Sequence, residues 1–441
     1  MIKVGMISLG CPKNQVDAER MLACLERAGC QIADTYDGAD VVIINTCGFI
    51  DAAKQEAIDN ILEMAQLKEE GIVGKIIVTG CMAEIYKDEI FKEMPEVDAV
   101  AGIGADGQIV DIVEKVLSGE KETRVPSKYD LPLCGERLLT TPEYWAYLKI
   151  ADGCSNRCAY CAIPSIRGNN RSVPMENVIE EAQALAQAGV KELILIAQDT
   201  TAYGLDLYGE LKLPELLDKL CEIQGIEWIR LLYCYPDKVT DELLEVMKNQ
   251  PKVLHYIDLP LQHSDDKILK AMNRHGDSAL IRDTIRRIRT AMPDAVIRTT
   301  VMVGFPGEGE DEFENLAEFV NETEFDRLGC FSFSPQEGTP AYDMENQVEE
   351  DVKVRRGEIL MQDQLEIVML KNEEKIGNIY TVLVEDYDGY TDSYTGRTYM
   401  DAPEIDGVIY FTSDKNYNPG DFVKVQVLGV NEYDLVGKEV E

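Results

Sequence analysis

Ala146-Tyr-Leu-Lys-Ile-Ala-Asp-Gly-Cys154-Ser-Asn-Arg-Cys158-Ala-Tyr-Cys161 joins a short apolar strand to a loop with cysteines at Cys-x3-Cys-x2-Cys spacing. Three thiolates on one such loop can hold three irons of a cubane cluster and leave the fourth iron without a protein ligand, open to a small molecule. The residues alone also allow a zinc knuckle short of a ligand or a plain Cys-rich turn, although zinc in a structural site takes four closed ligands. Downstream, the strand-like runs 193–197, 228–233, 256–259, 297–303 and 328–333 are separated by helical stretches. With 146–150 they make six strand–helix units, which predicts a partial (β/α)6 barrel rather than a closed eight-unit one.

Working outward, the first 125 residues repeat an apolar strand, a turn and an amphipathic helix. Strands are expected at 4–9, 41–45, 76–79 and 97–101, with helices such as 53–67 between them, so this part reads as an open parallel α/β domain. Cys11, Cys47 and Cys81 each lie just past a strand end, in ISLGC, VVIINTC and IIVTGC. Ligands of open parallel sheets bind outside those ends, and neighbouring strands would gather the three thiols into a site for a second cluster. Three unrelated half-buried cysteines are the alternative, since free Cys is common in cores. Residues 118–142 dissolve into charged sequence punctuated by Pro126, Pro132 and Pro142, as expected of a linker. The helical run 351–375 closes the barrel series. Beyond it, short alternating strands with turn signals at Asp388-Gly389, Thr395-Gly396, Asp406-Gly407 and Pro419-Gly420 predict a small β-barrel of the oligonucleotide-binding size. The expected domains are 1–125, 140–372 and 373–441.

Composition sets the limits. The 441 residues hold no apolar run long enough to span a membrane, and 43 Lys+Arg against 81 Asp+Glu leave a net charge of −38. Such a field repels phosphate backbones and favours a basic protein partner. Twelve cysteines, three histidines and no secretory leader at the N-terminus point to the reducing cytoplasm, with sulfur carrying any metal chemistry. Cys24, Cys30, Cys134, Cys221, Cys234 and Cys330 show no grouping and read as structural. Gly102-Ile-Gly104-Ala-Asp-Gly107 fits a dinucleotide fingerprint but lacks a following strand ending in an acid, so it reads as a glycine turn. Arg282, Arg286, Arg287 and Arg289 form a basic helix face, expected to be solvated and paired with Asp283.

The Cys154–Cys161 loop resembles the radical S-adenosylmethionine signature, placed after the first strand of a partial barrel as in that superfamily. The resemblance implies that Cys154, Cys158 and Cys161 ligate a [4Fe-4S] cluster whose open iron chelates S-adenosylmethionine, which one-electron reduction cleaves to a 5′-deoxyadenosyl radical. It implies further that Tyr160 packs by the adenine and that Gly153 permits a tight approach. Gln198 and Asp199 then fall where the methionyl ammonium is held. Arg230, Gln262 and Arg298 are expected to contact carboxylate or ribose, and Gly304 the adenine; an inward polar residue can equally be a satisfied core group.

Over essentially the whole chain, the order of cysteine-bearing α/β domain, radical loop and small barrel is similar to the methylthiotransferase family, whose terminal barrel is the TRAM domain. Membership implies a second [4Fe-4S] cluster on Cys11, Cys47 and Cys81, an external electron donor, and transfer of a methylthio group to an unactivated carbon. Two branches compete, one acting on a tRNA adenosine and one on an aspartate β-carbon of a small-subunit ribosomal protein. Residues 373–441 carry 15 acidic and 5 basic side chains, a net of −10, which suits a Lys- and Arg-rich protein rather than RNA. The strings 197–204, 259–263 and especially Asp401-Ala-Pro-Glu-Ile-Asp-Gly407 resemble the ribosomal-protein branch. A non-catalytic iron–sulfur carrier is the contrasting reading; it needs neither an open-iron loop nor a barrel behind it.

Overall fold

The computed structural model describes residues 1–440. Strands β1 (Lys3–Ser8), β2 (Gln31–Ile32), β3 (Val41–Thr46), β4 (Lys75–Gly80), β5 (Ala99–Ala101) and β6 (Glu122–Arg124) form one parallel sheet in the order β2-β1-β3-β4-β5-β6. Every residue of β3 is buried because helices cover both faces of the sheet. Ile61 and Met64 of helix Asp51–Glu69 pack on one side; Met21 and Leu25 of helix Pro12–Arg27, with Ile112 and Val116, pack on the other. The chain leaves β1 for one side of the sheet, forms β2, and returns to the other side as β3. That reversal makes the crevice beyond β1 and β3 a natural place for a ligand.

The second sheet contains β7 (Trp145–Lys149) and, after the two-residue strands β8 (Ala151–Asp152) and β9 (Arg171–Ser172), the strands β10 (Glu192–Ile196), β11 (Trp228–Leu231), β12 (Val253–Asp258), β13 (Val296–Val303) and β14 (Arg327–Ser332). Its order is β14-β13-β12-β11-β10-β7, parallel throughout, so the six-stranded open barrel is borne out. β8 and β9 pair as a separate antiparallel ribbon that launches the cysteine loop. Helices bury Leu148, Leu195, Leu231 and Ile257 on the outer face. After the helix Glu350–Glu373, β15 (Ile379–Asp388), β16 (Ser393–Arg397), β17 (Ile409–Thr412), β18 (Phe422–Asn431) and β19 (Asp434–Glu439) close into a barrel. Its apolar residues form one cluster with Trp145, Tyr147, Ile194, Trp228 and Tyr256 of the second sheet. No helix among the described residues is long and apolar enough to cross a membrane.

Two expectations need correction. Residues 118–142 are not a free linker: β6 extends the first sheet, and Arg137 is buried between Glu19 at 2.7 Å and Glu181 at 2.6 Å. Thr395-Gly396 is not a turn but lies inside β16, where a Cβ on Gly396 would meet Val382 Cγ1 at 2.5 Å and Leu383 O at 2.6 Å. The Gly102–Gly107 segment is a turn packed against the Ser127 backbone. The basic helix face is tied up in its own ion pairs, Arg282 with Glu322, Arg286 with Asp283 and Arg287 with Asp241.

Candidate functional site

Ser8, Asn45 and Thr79 stand level in the register of β1, β3 and β4. Cys11, Cys47 and Cys81 follow within three residues of them, at one edge of the sheet and at its reversal point. The carrying segments touch: a Cβ on Gly10, which adopts φ +94°, would lie 2.6 Å from Cys47 Cβ and 3.2 Å from its Sγ. Asn14 closes the turn, donating to Leu9 O at 2.8 Å while its own carbonyl accepts from Asn45 Nδ2 at 2.7 Å. Burial pushes the Cys81 thiol up to about 12 and raises Cys47, each also repelled by Cys11. Burial acts on Cys11 in the same direction. There, however, the charges of Lys13 and Arg167 and the N–H groups of Asn14 and Lys13, at the start of helix Pro12–Arg27, hold the thiol below its ordinary range.

The other three thiols share the loop after β8. Gly153 takes φ +80° in contact with Asn169 O, where a Cβ would sit at 2.2 Å, so the turn admits no side chain there. Cys154 N donates to Gly168 O at 3.0 Å, Ala159 N to Met272 O at 2.8 Å, and Asn156 Nδ2 to Asp199 Oδ2 at 2.7 Å. Cys158 Sγ lies 3.2 Å from Tyr235 Oη, whose ring is stacked 4.1 Å from the Arg274 guanidinium. Burial raises Cys154 and pushes Cys161 up to about 12. Tyr160 packs into a cluster with Met272, Phe305 and Phe333. Among the described residues no three His, Cys, Asp or Glu side chains converge as ligands of a single metal ion would. A cubane places each of its thiolates on a different iron, whereas a structural zinc site draws its ligands onto one ion.

A buried ionic knot joins the two sets. Arg167 Nη1 reaches Asp17 at 2.8 Å and Asp152 at 2.7 Å, its Nη2 reaches Asn14 at 3.3 Å, and Lys149 pairs with both the same carboxylates. Asp17 belongs to helix Pro12–Arg27, Asp152 leads the cysteine loop, and Arg167 ends the short helix Ile163–Arg167 beyond it. Burial opposes the charge on Asp152, yet Arg167 and Lys149 hold its carboxyl well below the usual range. Burial likewise lowers the neighbouring Lys13.

The remaining residues expected at the cofactor divide. Gln198 has both amide atoms buried without a hydrogen-bond partner among the described residues, which suits a ligand offering donor and acceptor together. Gln262 adopts φ +72° and is locked by backbone bonds to Thr300 and Met302. Asp199 is not free: Asn156, Lys238, Thr201 and the Ala202 N–H consume its oxygens, so it positions the cysteine loop instead. Arg230 is a correction, since its guanidinium is spent on Glu192 at 2.7 Å and Tyr399 O at 2.8 Å, facing the C-terminal barrel. Arg298 is another, held by Asp258 at 2.9 Å and Asp406 at 3.5 Å. The Gly304 N–H is taken by the Glu308 carboxylate at 2.9 Å. Sequence reasoning passed over Lys13, Arg167, Tyr235 and Arg274; for the first two the available signal was closeness to a cysteine motif. The six ungrouped cysteines are scattered, and all twelve thiols are free.

Comparison with known proteins agrees with this layout. Residues 148–320 match the Radical SAM superfamily, 3–102 the uncharacterized protein family UPF0004, and 376–440 the TRAM domain. Among solved structures, the radical S-adenosylmethionine methyltransferase TsrM from Kitasatospora setae is similar in fold at TM-score 0.58 and 12% identity, covering 77% of each chain. The ribosomal protein uS12 methylthiotransferase RimO of Caldanaerobacter subterraneus subsp. tengcongensis is 53% identical over 99% of this chain and 100% of its own. That of Acetivibrio thermocellus is 50% identical over 99% and 98%. With such identity sustained from end to end, the chain belongs to the ribosomal protein uS12 methylthiotransferase family.

Proposed function

We propose that the chain places a methylthio group on the β-carbon of an aspartate in ribosomal protein uS12. In this reading Cys154, Cys158 and Cys161 hold one [4Fe-4S] cluster with S-adenosylmethionine at its open iron, and Cys11, Cys47 and Cys81 hold a second. When bound, these groups supply the methyl, the sulfur and the one-electron chemistry that a C–H bond without an acidic proton requires. The protein's share is placement. The Asp17–Arg167–Asp152 knot fixes the two thiol sets against each other, the Asp199–Asn156 bond shapes the cysteine loop, and the unpartnered Gln198 amide offers contacts to the amino-acid end of S-adenosylmethionine. The acidic surface favours a Lys- and Arg-rich partner over RNA, and an external one-electron donor is required. The working divisions are 1–125, 140–372 and 373–441.

The observation that carries the reading is the joining of two cysteine triplets, each at strand ends, through one buried charge cluster. Anaerobic reconstitution tests it: about eight irons per chain are expected, and about four would remove the second cluster. With reductant, Cys158→Ala is expected to make no 5′-deoxyadenosine. Cys47→Ala should still cleave S-adenosylmethionine but make no methylthiolated uS12; product from that variant overturns the role given to Cys47.

A further inference from the structure

Lys13 follows Cys11 by two residues and is only 6% exposed. Its ammonium rests 3.2 Å from the centroid of the Tyr233 ring, and among the described residues it makes no hydrogen bond and no ion pair with a carboxylate, its charge being felt instead by the Cys11 thiol, a sulfur that the proposed cluster would engage. The contrast with its neighbours is sharp, since Lys149 and Arg167, equally buried, each hold two carboxylates. An ammonium carries three donors, and one aromatic face attracts the charge without accepting them all. A buried cation left in that state is costly unless an anion joins it.

The placement of Tyr233 indicates where that anion would lie. Tyr233 follows β11 at φ +62°, a conformation rare for a bulky residue, with its N–H bonded to Asp258 at 2.9 Å and its carbonyl to Thr200 N at 2.9 Å. The ring is thus a fixed floor beneath the ammonium. Asp258, the carboxylate on that side, is already engaged by Arg298 and the Tyr233 N–H. Lys13 therefore stands between the Cys11 edge of the first sheet and the carboxyl ends of β10 and β11, with donors unspent.

We propose that Lys13 receives the side-chain carboxylate of the target aspartate and sets the enzyme's choice of aspartate over asparagine. This rests on the reading that the substrate is an aspartate of uS12. The reacting β-carbon is bonded directly to the carboxylate carbon, so an ammonium held by a rigid ring fixes that carbon between the two thiol sets. A neutral amide in the same place leaves the cation buried and unpaired.

The test uses the reconstituted chain with S-adenosylmethionine and measures its Kd for uS12 and for uS12 with the target aspartate changed to asparagine. Wild type should prefer the aspartate form at least tenfold, Lys13→Met should bring the ratio close to one, and Lys13→Arg should keep a preference of several-fold. If the Met variant fails to hold its irons, Lys13→Gln is read by the same criterion. A variant without the charge that keeps the wild-type ratio overturns the inference, as does a wild type that modifies uS12 yet binds both forms equally. A wild type that neither binds nor modifies uS12 overturns the substrate reading itself, and the inference with it.

Discussion

Asp17 and Asp152 come from different sheets' connections yet meet on Arg167 and Lys149, all four side chains at most 2% exposed. Such a knot stabilises little relative to an apolar core, but removing one member leaves a charge stranded. Arg167→Met is expected to destabilise the chain by about 3–5 kcal/mol and to lower iron content toward one cluster, with Arg167→Lys restoring part of both. Thermal unfolding by circular dichroism with iron analysis checks this; an unchanged midpoint would refute it. The six cysteines were legible as two groups because three share one short loop and three follow strand ends, and the proposed iron ligation would demand that residue type there. Arg167 was not, because an ionic tie can come from any cation the fold brings near. Asp199, Arg230 and Arg298 were misjudged for the converse reason: a polar residue on a barrel strand does not announce what stands opposite it.

Strands long enough to carry a pattern were readable, and β3, with its unbroken apolar run, is where that pattern says buried on both faces. β2 and β6, with two and three residues, are too short to show any period, and only pairing with their neighbours defines them. β16 exposes a different limit. Thr395-Gly396 carries the chemistry of a turn, but the glycine is there because the β15 backbone passes too close for a side chain, as at a barrel corner. Gly396→Ala is expected to cost about 1–3 kcal/mol through overpacking. Both tryptophans, Trp145 and Trp228, are buried beside the barrel, Trp228 with its ring 4.9 Å from that of Phe422, so urea unfolding followed by their fluorescence reports the loss. A midpoint equal to wild type would show that the barrel gives way at no cost.

At the scale of the molecule, the C-terminal barrel is locked into the half-barrel rather than tethered to it. Glu192 of β10 pairs with Arg230 and with Arg397 of β16, both at 2.7 Å; Arg327 meets Asp401 at 2.5 Å, and Asp406 accepts from Tyr256 Oη at 2.6 Å. The string 401–407 thus supplies the plug for the inner face, a role hidden in sequence because its partners Arg327 and Tyr256 lie 74 and 150 residues away. Lys375 sits at this seam, donating to Asn372 Oδ1 at 2.7 Å, and Asn372 in turn bonds the Glu432 and Tyr433 carbonyls of the β18–β19 turn. Burial, reinforced by the nearby Arg327 charge, pushes Lys375 down to about 8. The unfolded chain keeps this lysine protonated up to about 10.4. Between those values the unfolded state binds more protons than the folded one, so the contribution of Lys375 to stability rises with pH; below about 8 both states are charged and the penalty is constant. Lys375→Met should therefore stabilise the chain at pH 7.5 by about 1–2 kcal/mol, net of the lost hydrogen bond, and the gain should fade as the pH approaches 10.5. Differencing variant and wild type cancels the buried tyrosines and thiols that titrate in the same window. A stability difference that stays flat from pH 7.5 to 10.5 would show that Lys375 is not held as a strained cation at the seam.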